Sequence, residues 1–282
     1  MTPFDPPAPV LRSVVAVALA EDLGVLGDIT SIACVGEVEM ADARIVSREE
    51  GVLAGTAAAT EVYRQVDPAV VVTWECVDGA PVDAGSTVGT VSGCLRSILA
   101  GERVALNFLM HCSGVASLTL RYVRSAHGVT RIRDTRKTTP GLRALEKAAV
   151  RAGGGFNHRD SLSDAVLIKD NHLAGTDIHR AIERARARWP GRVVEVECDT
   201  VEQVEIAVDA SPDLILLDNM TPEEVRVVAE AVGGRVPLEV SGGVDLRNVA
   251  AYAEAGADFI AVGALTHSAR ALDIGLDIDT VR

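Results

Sequence analysis

The sequence predicts an α/β protein built on an atypical (β/α) barrel of six to seven parallel strands, with a smaller α/β unit ahead of it. Three observations carry that expectation. Short β-branched runs alternate with helical stretches through the second half of the chain, the pattern of βα units and a parallel sheet. The last four runs end at Glu197, Asp218, Ser241 and Gly263, spaced by 21, 23 and 22 residues, which leaves room only for minimal loops. Nearly every one of six runs in succession is apolar until its C-terminal end, where the six present Asp134, Lys169, Glu197, Asp218, Ser241 and Gly263. Polar groups gathered at strand ends are what a barrel places at its C-terminal mouth. An open doubly wound sheet is the rival arrangement; no GxGxxG follows the first strand, which argues against its dinucleotide-binding form.

The 282 residues divide on this reading into an N-terminal unit over 1–103, a barrel over 104–267, and a segment 268–282 that packs with the first unit. The N-terminal unit opens with a helix over Arg12–Leu23 and the turn GDITS at Gly27–Ser31. Strand-like pieces follow at Ala43–Val46, Val70–Val77 and Thr87–Val91, with a helix at Ala57–Val66. An apolar helix over Val104–Val115 leads into the second half. The barrel strands are read at 129–134, 165–170, 193–198, 214–219, 237–242 and 259–263, with helices over Thr176–Trp189, Thr200–Ala210, Thr221–Val232 and Asp245–Ala255. Thr200 with Gln203 and Thr221 with Glu224 have capping-box spacing, and Pro222 suits a first helical position.

Composition excludes several classes. Forty acidic against 27 basic residues give a formal net charge of −13, which repels nucleic acid and anionic membranes over most of the surface. Aromatic residues are 3%, too few for base-stacking platforms. The apolar run Val14–Ala20 falls far short of the ~20 residues of a membrane span. The opening MTPFDPPAPV has no positively charged n-region and no cleavage pattern, so no signal peptide is expected. Cys34, Cys76, Cys94, Cys112 and Cys198 form no CxxC pair and read as thiols of a reducing, cytoplasmic compartment.

Against this acidic background, residues 131–170 carry nine Lys/Arg and five Asp/Glu. Arg143, Lys147 and Arg151 recur at helical spacing and read as the solvated face of a helix over 140–152. Arg136, Lys137, His158, Arg159 and Lys169 lie outside it. In DTRKTTPGLR (134–143), the adjacent Arg136 and Lys137 offer a forked guanidinium for a carboxylate and a mobile ammonium for a phosphate. Lys169 follows four apolar residues, so its stem starts inside the barrel as an ion-pair partner, an anion ligand or a Schiff-base nucleophile. Glu197 and Asp218 end consecutive strands and face one cavity, where paired carboxylates do acid/base work, bind Mg²⁺ or stabilise a cationic transition state. Ser241-Gly242-Gly243 and Val262-Gly263-Ala264 end the last two strands, the usual phosphate loops of such barrels.

Together these segments resemble the quinolinate phosphoribosyltransferases. The resemblance rests on EDLGVLGDITS (21–31), ERVALNFLMHCSGVAS (102–117), DTRKTTPGLR, GGGFNHRDSLSDAVLIKDNH (153–172), EVECDT (195–200), LILLDNM (214–220), EVSGG (239–243) and VGALTHSARALDIGL (262–276). Met110 stands where glutamine is common, and Ala148 where tyrosine is; neither replaces a polar group of the site. The resemblance implies the type II phosphoribosyltransferase fold, with an N-terminal α/β sandwich domain and a partly opened barrel. It implies a homodimer whose sandwich covers the neighbour's barrel mouth, with assembly into a hexamer left open. The reaction implied joins quinolinate and phosphoribosyl pyrophosphate, with Mg²⁺, to give nicotinate mononucleotide, pyrophosphate and carbon dioxide on the route to NAD.

Under that resemblance Arg136, His158, Arg159 and Lys169 clamp the dianion, with Arg103 supplied by the neighbour. Lys137 meets the pyrophosphate, while Glu197 and Asp218 face the ribosyl cation, its hydroxyls or Mg²⁺. The two glycine loops take the 5′-phosphate, and Thr135 and His267 are further substrate contacts. The alternatives are a relative on the same scaffold acting on nicotinate or another small acid, a Lys169 aldolase, and a non-catalytic phosphate-binding protein.

Overall fold

The structure is a computed structural model that describes residues 4–128 and 130–281. Its elements in chain order are α1 (Ala8–Leu23), α2 (Ile29–Cys34), β1 (Met40–Ser47), β2 (Gly51–Val52), α3 (Thr56–Val66), β3 (Val71–Trp74), β4 (Pro81–Val82), β5 (Thr87–Cys94) and α4 (Leu95–Ser125). Then come β6 (Arg131–Arg133), α5 (Arg143–Ala152), β7 (Val166–Ile168), α6 (Ile178–Arg188), β8 (Val194–Cys198), α7 (Val201–Ala210), β9 (Leu214–Asp218) and α8 (Pro222–Val232). The chain ends with β10 (Leu238–Ser241), α9 (Val249–Glu254), β11 (Phe259–Ala261), α10 (Ala264–His267) and β12 (Ile274–Val281).

These elements form two compact units. The first holds residues up to Leu120, the stretch Thr138–Gly154, and the chain from Leu265 onward. Its sheet is antiparallel in the order β12-β1-β5-β3, with Ile45 opposite Leu276 on one side and opposite Gly89 on the other. The boundary expected at 103/104 does not fall in a linker. That position lies inside α4, whose 31 residues run straight on from β5 and absorb the shorter helix read over 104–115. GDITS is more than a turn: Asp28 accepts hydrogen bonds from the backbone of Thr30 (3.1 Å) and Ser31 (3.0 Å) and so caps α2.

The second unit holds Arg121–Lys137 and Gly155–Ala264. Its six parallel strands lie in the order β6-β11-β10-β9-β8-β7. The first strand therefore neighbours the last, which requires the sheet to curl into a barrel. On its other side β6 is bridged in parallel by Phe156: Phe156 donates to Ile132 O at 2.8 Å, and Asp134 donates to Phe156 O at 3.1 Å. Phe156 is thus a rudimentary seventh strand, and the barrel stands open between it and β7. Of the first barrel run read from sequence, Val129 lies outside the described residues and Arg131–Arg133 form the strand.

Side chains alternate strictly. Ile132, Val194, Val196, Ile215, Leu217, Val240 and Ile260 point outward and are at most 1% exposed. Burial of each contributes about 1.5–3 kcal/mol. The alternate, inward positions carry Arg133, Glu195, Glu197, Leu216, Asp218, Glu239 and Ser241. Capping boxes start α7 and α8 at the mouth. Thr200 Oγ1 accepts from Gln203 N (3.3 Å) while Gln203 Oε1 accepts from Thr200 N (3.2 Å). Thr221 and Glu224 repeat the pair, with Pro222 opening α8.

Two sequence expectations change here. The basic stripe of α5 is not a solvated face: Lys147 is buried, Arg143 donates to Thr138 Oγ1 (2.9 Å), and Arg151 donates to Phe4 O (3.3 Å). Helical periodicity placed the three on one face without saying what covers that face. Asp134 ends β6 without reaching the mouth; it is fully buried, accepting from Asn157 Nδ2 (2.5 Å) and His158 N (2.9 Å).

Candidate active site

The strand ends of the second unit enclose a cavity of about 410 Å³. Its walls include Thr135, Arg136, Lys137, His158, Arg159, Lys169, Glu197, Asp218 and Ser241, nine of the residues singled out in the sequence. The reason they meet is the parallel register: Ile168 pairs with Val196, Glu197 with Leu216, and Ser241 with Asp218, so that strand ends align at one level. Thr135 Oγ1 accepts from Lys137 N at 3.0 Å, which folds the chain back after β6 and leaves Lys137 exposed at the lip.

The cationic wall is strained electrostatically. Burial pushes the Arg159 guanidinium below its usual range, and the positive charge of Arg136 adds to that shift. Arg159 is anchored by donating to Ala165 O at 3.1 Å. Two guanidiniums held this close favour an anion between them. Lys169 is paired with Glu197, side chains 42% and 12% exposed. An amine gripped by a carboxylate is the opposite of the dry, unpaired lysine that a Schiff-base nucleophile requires. Burial pushes the Asp218 carboxyl up; Lys169 and Lys137 pull it back down, and Asp199 opposes them. Glu197 and Asp218 are hard oxygen donors at the mouth, a set that fits Mg²⁺, which takes one or two carboxylates and completes its shell with phosphates and water.

The two glycine loops that end the last strands are built unequally. Gly242 and Gly243 both have positive φ, +91° and +63°. A Cβ on Gly242 would lie 2.2 Å from Asn219 Oδ1 and 2.9 Å from Asn219 N, whereas one on Gly243 would meet nothing within 4 Å. Asn219 in turn donates through Nδ2 to Asp218 Oδ2 at 2.7 Å, so the tight turn at Gly242 and the orientation of Asp218 are one packing problem. Val262 departs from expectation. Its side chain is 2% exposed and its N–H donates to Arg133 O at 2.9 Å as part of the sheet, which leaves the loop's role to Gly263 and Ala264. His267 is exposed beside Ser268, and Arg103 is exposed on α4; both belong to the first unit.

Four residues that shape the site were missed as site residues. Arg133 and Glu195 point into the barrel below the cavity, Glu239 lines it, and Asn219 braces Asp218. Period-two alternation from Glu197 and Ser241 carries Glu195 and Glu239 to the inward face, which is the signal that could have found them.

Residues 28–113 match the N-terminal domain and residues 115–277 the C-terminal domain of quinolinate phosphoribosyl transferase. The chain belongs to the quinolinate phosphoribosyltransferase family. Among curated members it is 44% identical over 274 residues to the carboxylating nicotinate-nucleotide pyrophosphorylase of Mycobacterium leprae, covering 95% of this chain and 96% of that one. It is 41% identical to the probable enzyme of that name from Bacillus subtilis, covering 92% and 90%. Among solved structures, the nicotinate-nucleotide pyrophosphorylase of Francisella tularensis superposes with a TM-score of 0.93 at 38% identity over 98% of both chains. Membership of this family accounts for a barrel mouth lined by cations and closed by two carboxylates.

Proposed function

We propose that this family member transfers the phosphoribosyl group of phosphoribosyl pyrophosphate to the ring nitrogen of quinolinate, with loss of the 2-carboxylate as carbon dioxide. The products are nicotinate mononucleotide and pyrophosphate, a step of NAD biosynthesis. The observation that carries the reading is the single cavity in which Arg136, His158, Arg159 and Lys169 face Glu197 and Asp218.

Quinolinate carries two adjacent carboxylates, and two guanidiniums, an imidazole and an ammonium match both. Lys137, exposed at the lip, meets the pyrophosphate as its bond to ribose C1 breaks. The ribosyl centre then becomes cationic, and Glu197 and Asp218 stabilise that charge from fixed strand ends. Attack by the ring nitrogen makes the pyridine cationic. The electron pair left at C2 by departing carbon dioxide is held next to that positive nitrogen, and C2 then takes a proton. No base has to remove a proton in this sequence. Glu197 and Asp218 would hold Mg²⁺, whose charge would offset that of the leaving pyrophosphate. The turn at Gly242 and Gly243, with Gly263 and Ala264, would receive the 5′-phosphate.

We also propose a homodimer in which Arg103 completes the partner's site. Val17, Val25, Leu26, Ile29 and Ile32 are 55–100% exposed along α1 and α2, an apolar face suited to a second copy. All five cysteines are free thiols, in keeping with a cytoplasmic setting, and no described helix is long and apolar enough to cross a membrane.

The test is a direct assay with phosphoribosyl pyrophosphate, Mg²⁺ and either quinolinate or nicotinate. Mononucleotide and carbon dioxide from quinolinate alone are expected. Product from nicotinate, or from neither acid, would refute the substrate assignment.

A further inference from the structure

At the base of the cavity and beneath it, the barrel interior holds charged groups to which the proposed reaction assigns no step. Glu195 of β8 and Glu239 of β10 point inward with side chains 3% and 0% exposed. His158 Nε2 lies 2.9 Å from Glu195 Oε2 and 3.5 Å from Glu239 Oε1. Glu239 Oε2 accepts from Arg133. Glu195 Oε1 and Glu239 Oε1 make no hydrogen bond, although both are buried. The imidazole and the two carboxylates place ligand atoms within 4.8 Å of one another. A metal ion there would sit against the Arg133 guanidinium already paired with Glu239, so the cluster is better explained by what it does to His158.

Two carboxylates against one guanidinium leave this buried group one negative charge in excess unless it holds a further proton, and net buried charge is costly. Burial and the charge of Glu195 push the Glu239 carboxyl upward, with Arg133 and His158 opposing. His158 Nε2 faces Glu195 Oε2 at 2.9 Å, a distance that fits an Nε2–H donated to that carboxylate. The tautomer and tilt of His158 are therefore set from below. Its backbone is pinned as well, since His158 N donates to fully buried Asp134. The charged groups around the ring are Glu195, Arg133 and Asp134 on the inner side and Glu239, Arg136, Arg159 and Lys169 along the cavity.

We propose that Glu195 and Glu239 are positioning residues for substrate binding, acting through His158: they hold Nε2–H toward the barrel interior so that the opposite ring edge faces the substrate site in one fixed orientation. The inference rests on the proposed function above for the nature of that substrate. It makes a sign prediction. Removing a negative charge under an anion site would tighten binding if charge alone mattered, whereas loss of positioning weakens it.

The experiment compares Glu195→Leu, which has no acceptor, with Glu195→Gln, which keeps an uncharged one, in the full chain with its melting curve checked. The KM for quinolinate is expected to rise about tenfold in the leucine variant, the size of one charge-assisted hydrogen bond, and less in the glutamine variant. The KM for phosphoribosyl pyrophosphate should stay unchanged in both. Histidine-selective ¹⁵N labelling supplies a readout independent of turnover. The Nε2–H signal of His158, assigned by its absence in His158→Gln, should be visible in the wild type and lost to solvent exchange in Glu195→Leu. If the leucine variant does not fold, Glu195→Gln carries the KM measurement alone, with a rise in quinolinate KM smaller than tenfold expected. A quinolinate KM that is unchanged or lower in the variant measured, or a ring signal that persists in Glu195→Leu, overturns the positioning role. A wild type without quinolinate turnover refutes the proposed function and the substrate half of this inference, and is distinguishable because the ring signal is read without substrate.

Discussion

The adjacent glycines at 242 and 243 allow a sharp test of how the mouth is built. Both adopt positive φ, so an alanine at either costs about 1–2 kcal/mol of backbone strain. They differ in what surrounds them. At Gly242 the new methyl would stand 2.2 Å from Asn219 Oδ1 and 2.9 Å from Asn219 N, too close for either to remain in place. At Gly243 it would meet nothing within 4 Å. Gly242→Ala should therefore lose about 2–4 kcal/mol of stability, and Gly243→Ala only the smaller backbone share. The consequences for activity separate further. Asn219 is hydrogen-bonded to Asp218 at 2.7 Å, so moving it misplaces a carboxylate at the reacting centre. A shift of that kind costs about 100-fold in kcat/KM. Urea denaturation and steady-state kinetics on both variants decide the matter. If Gly242→Ala is no less stable and no slower than Gly243→Ala, the coupling of this turn to Asp218 is wrong.

Other outcomes follow from the same geometry. Lys137→Met and Glu197→Gln should each lower turnover about 100-fold or more with melting temperatures unchanged, since neither side chain belongs to the apolar core; normal turnover would remove their assigned roles. Arg103→Ala and Lys169→Ala should each be inactive alone. Mixed and reassorted, they should recover about a quarter of wild-type activity through hybrid dimers with one intact site, and no recovery would refute the shared site. Chelation by EDTA should abolish turnover and added Mg²⁺ restore it, with Glu197→Gln requiring more Mg²⁺ than the wild type; metal-independent turnover would refute the Mg²⁺ role. Thr221→Ala removes an N-cap and should cost about 1 kcal/mol in denaturation with kcat/KM unaffected; an unchanged urea midpoint would show that the cap contributes nothing.

Much of this protein was legible as a string of residues because the informative features are local. Strand ends advertise themselves when an apolar run stops at Lys169, Glu197 or Asp218, and the near-constant pitch between runs implies parallel βα units whatever the loops contain. The capping boxes at Thr200 and Thr221 need only residues three apart. Parallel register then brings these strand ends together, and the loops that follow them add the rest of the nine residues named from sequence that share one cavity.

What the tertiary structure decided depends on partners distant in the chain. Nothing near Lys147 announces that its face of α5 is covered, and nothing near Asp134 announces that Asn157 and the His158 backbone will occupy it. Val262 was assigned to a phosphate loop by its glycine neighbour, but its N–H belongs to Arg133 across the sheet. Phe156 becomes a partial seventh strand only because β6 has a free edge. The charged-residue cluster in the barrel floor was the largest omission: Glu195 and Glu239 sit in otherwise apolar stretches, and their pairing with Arg133 and His158 spans four separate chain segments. Sequence determines which face of a strand a residue occupies, because alternation is a property of the backbone. Which charges then neutralise one another is determined by closure of the barrel, because only closure brings opposite walls within hydrogen-bonding distance.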